Sequence, residues 1–219
     1  MILELRKKLL HFILDLGTIN EISPCSLLNE VIDGGADIVQ LRAKKHSESD
    51  ITTIIEKIKP IIIEKKILFL INDYVDLAMK YVEMFPVGMF GVHIGQDDMS
   101  IKEARKKLGY ESIIGVTVNS VVQAKEAEQN SADYVGFGAI FPTTTKNDAV
   151  ERSLDIAKDM RNAINIPIYL IGGIGLENLS TITDAGFDTV AVSSAIAHSD
   201  NPLKTTSEIK KKLLAVNYL

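Results

Sequence analysis

Short runs rich in β-branched and other apolar residues recur along the chain. They are Leu10–Leu14, Ile38–Leu41, Leu68–Ile71, Gly91–Ile94, Ile113–Val118, Tyr134–Ile140, Ile168–Ile171 and Thr189–Val192. Between them the apolar positions fall at helical spacing with charges opposite, over Ile51–Lys65, Val75–Tyr81, Ile101–Leu108, Val121–Gln129, Leu154–Ile164, Leu176–Ala185 and Leu203–Leu214. Strands that alternate with helices predict parallel pairing through right-handed crossovers. Eight such units in 219 residues predict an α/β fold, a compact (β/α)₈ barrel, with an open doubly wound sheet as the alternative. No low-complexity linker or composition shift divides the chain, so residues 1–219 read as one domain. Gly34-Gly35 and Gly186 follow helical patterns just before strands, as helix ends prefer. Pro60 falls inside a helical pattern and is expected to kink or divide it.

Composition narrows the functions. With 46% hydrophobic and 24% charged residues, the chain can bury a sizeable core. A net charge of −5 and the lack of an aromatic-plus-basic pattern argue against nucleic acid as a partner. Glu4, Arg6, Lys7 and Lys8 interrupt the apolar residues of the N-terminal stretch, and Glu64, Lys65 and Lys66 interrupt Ile61–Leu70. Neither a signal peptide nor a membrane span is expected, and the cytoplasm is the expected location. The single cysteine, Cys25, excludes an internal disulfide and a multi-cysteine zinc site, and reads as buried filler. The amphipathic stretch Leu203–Leu214 could pair with a second copy in a homo-oligomer, but a helix packed on its own barrel has the same pattern.

In a parallel barrel the active site lies at the C-terminal ends of the strands, and chemistry gathers there in this chain. Strand alternation sends Gln40, Arg42 and Lys44 to one side. Asn72-Asp73 ends the third strand, and His93-Ile94-Gly95-Gln96-Asp97-Asp98 the fourth. Asp98 alone reads as a turn residue. Paired with Asp73, beside two cations and without cysteine, it suits Mg²⁺ shared with a substrate diphosphate. His93 on an apolar strand fits either a satisfied core histidine or a site residue. Thr117 and Asn119 add a hydroxyl and an amide. The stretch Gly136 to Lys146 runs from a strand into a loop with Thr143, Thr144, Thr145 and Lys146, groups that satisfy phosphate oxygens. Gly172-Gly173 and Ser193-Ser194 follow the last two strands, where barrels often bind phosphate. One rim thus offers a basic, metal-assisted anion site and a neutral, amide-rich one, as a transferase would need.

Gln40-x-Arg42-x-Lys44, Asn72-Asp73, His93-Ile94-Gly95-Gln96-x-Asp98, Gly138-x-Ile140-Phe141-Pro142-Thr143-x-Thr145-Lys146, Gly172-Gly173-Ile174 and Ser193-Ser194-Ala195-Ile196 occur in this order. Together they closely resemble the thiamine phosphate synthase family, over about residues 9 to 197. The resemblance implies a (β/α)₈ barrel that joins hydroxymethylpyrimidine diphosphate to hydroxyethylthiazole phosphate by a dissociative, Mg²⁺-assisted route, as a transferase of thiamine biosynthesis. It implies Asp73 and Asp98 as Mg²⁺ ligands, and Arg42, Lys44, Asn72 and Lys146 as diphosphate contacts. Gln40 and His93 would lie by the pyrimidine, Thr117 would assist diphosphate departure, and Thr143, Thr145, Gly173, Ser193 and Ser194 would cradle the thiazole phosphate. Thr117, Lys146 and Arg42 carry the catalytic roles. The chain departs from the family pattern at Ala43, where an acid is frequent, at Ala139, where proline is common, and at Asn119, where histidine occurs. The segment Asn147 to Ser153 also lacks a frequent glycine. Two other readings remain: a thiazole tautomerase of the related branch, for which Asn119 cannot titrate, and an inactive barrel that senses a thiamine precursor.

Overall fold

The computed structural model describes residues 5, 8–19, 22–143 and 150–216. Within them eight parallel strands follow one another in chain order: β1 (Leu10–Asp15), β2 (Ile38–Arg42), β3 (Leu68–Asn72), β4 (Phe90–Ile94), β5 (Ile113–Val118), β6 (Tyr134–Gly138), β7 (Ile168–Ile171) and β8 (Val190–Val192). β1 pairs with both β2 and β8, so the sheet closes and the open doubly wound alternative is excluded. The helices are α1 (Pro24–Asp33), α2 (Glu48–Lys65), α3 (Val75–Met79), α4 (Ile101–Leu108), α5 (Val121–Gln129), α6 (Leu154–Ala163), α7 (Leu179–Asp184), α8 (Ser194–Ala197) and α9 (Pro202–Leu214). No helix among the described residues is long and apolar enough to cross a membrane.

Alternation along each strand divides the two layers of the fold. Phe12, Val39, Phe69, Val92, Val116, Phe137, Leu170 and Val192 point outward into the layer beneath the helices. The opposite phase fills the barrel. Leu5, Ile38, Leu70, Ile113, Tyr134 and Tyr169 make an apolar floor. The Tyr134 and Tyr169 rings stack at 4.3 Å, and the Tyr169 hydroxyl donates to the Leu5 carbonyl at 3.1 Å. A Cβ at Gly115 would lie 2.0 Å from the Tyr134 ring, so that strand needs glycine where it passes the tyrosine.

Several boundaries differ from the periodicity. α2 begins at Glu48 because Ser47 and Asp50 form a capping box, and it continues unbroken past Pro60. Proline removes one N–H bond there, but Pro60 is exposed, so the freed carbonyl faces water. Ile51, Ile55, Ile58 and Ile62 bury the other face and hold the helix together. α1 is capped by Ser23 with Pro24 in its first turn, and Cys25, beside it, is half-buried and not buried filler. β6 stops at Gly138, yet the Ile140 and Phe141 N–H groups still donate to the Ile171 and Gly172 carbonyls. α7 starts three residues later than its apolar spacing predicts, because Asn178 is used in a turn described below.

Candidate active site

On the floor rests an open cavity of about 890 Å³ at the C-terminal ends of the strands. On its β1–β2 side Arg42 donates through Nη1 to Oδ2 of Asp15, whose Oδ1 accepts the Gly17 N–H at 3.0 Å. Asp15 is buried and Arg42 largely so, which fixes the guanidinium against the wall. Next to it Gln40 donates to the side-chain oxygen of Asn72. Lys44 approaches Asp73 at 3.4 Å.

Asp73 is the first residue after β3 and has φ +69°, a left-handed conformation that aspartate tolerates better than most residues. Its N–H donates to the His93 carbonyl at 2.8 Å, which sets its carboxylate beside that of Asp98. Burial raises the Asp73 carboxyl pKa to about 6, and a hydrogen bond and repulsion from Asp98 add to the rise. Asp98 itself is held by the Gly95 N–H at 2.6 Å. Two carboxylates in mutual repulsion fit a hard divalent cation, which would relieve the strain of bringing them together. Among the described residues no third carboxylate, histidine or cysteine joins them, which leaves coordination positions open for waters and substrate oxygens.

His93 lies further round, in β4. Its Nδ1 meets the Tyr134 hydroxyl at 2.8 Å and its Nε2 meets Thr117 Oγ1 at 2.9 Å. Burial lowers its pKa to about 4, against a smaller opposing effect of Asp98, so the ring is neutral at neutral pH. Gln96 fixes the Thr117 carbonyl at 2.6 Å. Arg152 reaches the wall as well, its Nε donating to the Gly138 carbonyl at 3.1 Å and its Nη1 to the Asn119 carbonyl at 3.4 Å.

The β7–β8 side is built from backbone. Gly172 and Gly173 have φ +97° and +63°, and a Cβ at Gly173 would lie 2.4 Å from the Pro142 carbonyl, so both the turn and the packing require glycine. Asn178 clamps this turn, donating to the Gly173 carbonyl at 2.7 Å and accepting the Gly175 N–H at 2.9 Å. Ser193 donates to the Ile13 carbonyl at 2.9 Å, while Ser194 opens α8. Gly173, Ser193, Ser194 and Thr143 all line the cavity. Thr145 and Lys146 lie outside the described residues.

One cavity therefore brings together Gln40, Arg42, Lys44, Asn72, Asp73, His93, Asp98, Thr117, Thr143, Gly173, Ser193 and Ser194. Sequence reasoning passed over Asp15, His11, Tyr134 and Arg152, which line it too. Alternation could have found Asp15 and His11, because they share the inward phase of β1 with Ile13. His11 is buried between the edges of Tyr134 and Tyr169, at 6.2 and 5.8 Å, and neither of its ring nitrogens has a hydrogen-bond partner. Burial, and secondarily His93, lower its pKa to about 3, against a smaller opposing effect of the neighbouring Gln40 side chain.

Residues 10–196 match the family described as thiamine monophosphate synthase. The chain is 40% identical over 187 residues to a thiamine-phosphate synthase of Clostridium acetobutylicum, covering 85% of this chain and 86% of that one. It is 36% identical over 192 residues to one of Methanobrevibacter smithii, covering 88% and 89%. The solved structure of a thiamine phosphate pyrophosphorylase from Pyrococcus furiosus superposes with a TM-score of 0.83 at 30% identity, covering 96% of this chain and 98% of that one. With its closed barrel and its match running almost from the first strand to past the last, this chain belongs to the thiamine monophosphate synthase family and is an enzyme of the transferase class.

Proposed function

We propose that the chain joins 4-amino-5-hydroxymethyl-2-methylpyrimidine diphosphate to hydroxyethylthiazole phosphate, releasing pyrophosphate and forming thiamine phosphate. The observation that carries this reading is the pairing of two unlike anion sites across one cavity. Arg42, Lys44, Asp73 and Asp98 stand on the β2–β4 side, and the Gly173 turn with Ser193 and Ser194 on the β7–β8 side. Cations suit a leaving group that gathers negative charge, whereas neutral donors such as backbone N–H groups suit a phosphate that stays on the product, the Ser193 hydroxyl being turned to the Ile13 carbonyl.

Asp73 and Asp98 would hold Mg²⁺, which when bound stabilises charge on diphosphate oxygens. Arg42, aimed by Asp15, binds the diphosphate with Lys44. Gln40 orients the pyrimidine, and Asn72, which accepts its hydrogen bond, reaches the diphosphate. The bond between the pyrimidine methylene carbon and the diphosphate oxygen breaks with its electron pair on oxygen. The amino-substituted ring stabilises the resulting carbocation, and the thiazole nitrogen lone pair closes the new C–N bond. No protein nucleophile takes part, and alignment of the two substrates supplies much of the rate. Incubating the protein with both substrates and Mg²⁺ is expected to yield thiamine phosphate and pyrophosphate in equal amounts, and chelation is expected to stop it. Absence of product from correctly folded protein would refute the reading and favour a sensing barrel.

A further inference from the structure

Tyr134 is fully buried, and its hydroxyl has one hydrogen-bond partner among the described residues, Nδ1 of His93. Neither neighbouring ring takes its hydrogen: the Tyr169 hydroxyl bonds the Leu5 carbonyl and makes no hydrogen bond with Tyr134, and neither ring nitrogen of His11 makes one. A buried phenol that donates to no acceptor is strongly disfavoured. If Nδ1 carried a hydrogen, whether in the neutral ring or in the imidazolium, the phenolic hydrogen would have nowhere to go. We infer that Tyr134 donates to Nδ1 and thereby sets the His93 tautomer, so that Nε2–H donates to Thr117 Oγ1 and the Thr117 hydroxyl keeps its own hydrogen for the cavity.

Thr117 lines the cavity and makes no other side-chain hydrogen bond among the described residues. With the opposite tautomer its hydrogen would be spent on Nε2, and an anionic substrate would meet only an oxygen lone pair. With Nε2–H in place the hydroxyl is a donor whose oxygen is already polarised by the imidazole. Two glycines make the arrangement sterically open: a Cβ at Gly115 would overlap the Tyr134 ring, and one at Gly136 would lie 3.1 Å from His93 Cε1. Tyr134 is thus a positioning residue that acts on the substrate through His93 and Thr117. The identity of the acceptor as the departing diphosphate rests on the reading under Proposed function, while the tautomer does not.

Two experiments test this. In protein labelled with ¹⁵N-histidine, without substrates and at neutral pH, long-range ¹H–¹⁵N correlation is expected to show His93 protonated on Nε2. In Tyr134→Phe that preference is expected to be lost. Protonation of His93 on Nδ1 in the unsubstituted protein would overturn the inference whatever the activity. In the synthase assay, Thr117→Val and Tyr134→Phe are each expected to lower kcat by roughly tenfold to a hundredfold with KM for both substrates little changed, as loss of a donor to an anion implies. The double variant is expected to be no slower than Thr117→Val, because both substitutions remove the same hydrogen. Multiplying losses in the double variant, or an effect confined to KM, would show that Tyr134 acts by packing alone. If the unsubstituted protein makes no thiamine phosphate, the proposed function fails while the spectrum still decides the tautomer.

Discussion

Replacing His11 with phenylalanine tests the electrostatics of the barrel floor. In the fold the ring is buried with both nitrogens unpartnered and its pKa is lowered from 6.5 to about 3. It is therefore neutral in the native state at any pH above that value, whereas in the unfolded chain it takes up a proton as the pH falls through 6.5. The unfolded state then binds more protons, so stability is lost as the pH falls from 6.5 towards 3. At about pH 5 the unfolded histidine is nearly all protonated, and the loss from this residue is about 2 kcal/mol relative to about pH 7.5. That figure depends little on the native pKa, because a native value a unit higher still leaves the folded ring neutral there. Phenylalanine keeps the edge-on packing against Tyr134 and Tyr169 and has no proton to bind. Urea unfolding of both proteins at the two pH values gives a double difference in which the carboxylates and His93 cancel. The unsubstituted protein is expected to lose about 2 kcal/mol more than His11→Phe. Equal losses, within about 0.5 kcal/mol, would mean that His11 is solvated or paired in the native state and would refute the reasoning.

Other outcomes follow from the site and the scaffold. Asp98→Ala removes one exposed carboxylate bonded to the Gly95 N–H, so stability is expected to change by about 1 kcal/mol or less while turnover falls by about a hundredfold or more. Unchanged turnover at saturating Mg²⁺ would take Asp98 out of the site. Gly173→Ala puts a Cβ against the Pro142 carbonyl at positive φ, and is expected to destabilise by roughly 1–3 kcal/mol and to raise KM for the thiazole phosphate more than for the pyrimidine diphosphate. An equal effect on both KM values would place the Gly173 turn elsewhere in the reaction. Pro60→Ala restores an N–H in an exposed helix interior and is expected to stabilise by about 1–3 kcal/mol, read as a higher urea midpoint at unchanged slope; a lower midpoint would show that α2 depends on the proline.

The sequence by itself determined the order of strands and helices, because period-two runs and helical stripes are local and each was long enough to show its period. It also placed polar and glycine residues at or near the ends of the apolar runs, and the fold gathers Arg42, Asp73, Asp98, Thr117 and Gly173 around one cavity. Less was legible where a residue's role depends on a distant partner. Pro60 broke no helix, because burial of four isoleucines against the barrel outweighs one missing bond. The start of α7 was misplaced because Asn178 is taken up in clamping the Gly173 turn.

Tertiary structure decided the rest through closure of the barrel. Asp15 and Arg42 are 27 positions apart in the chain and meet only because β1 and β2 pair in a register that sets one opposite the other. Tyr134 and His93 are 41 apart and lie on β6 and β4, not even neighbouring strands, yet both point inward and converge on the axis. Alternation shows that a strand has two faces, but which face turns towards the axis, and what waits there, is fixed when the eighth strand returns to the first.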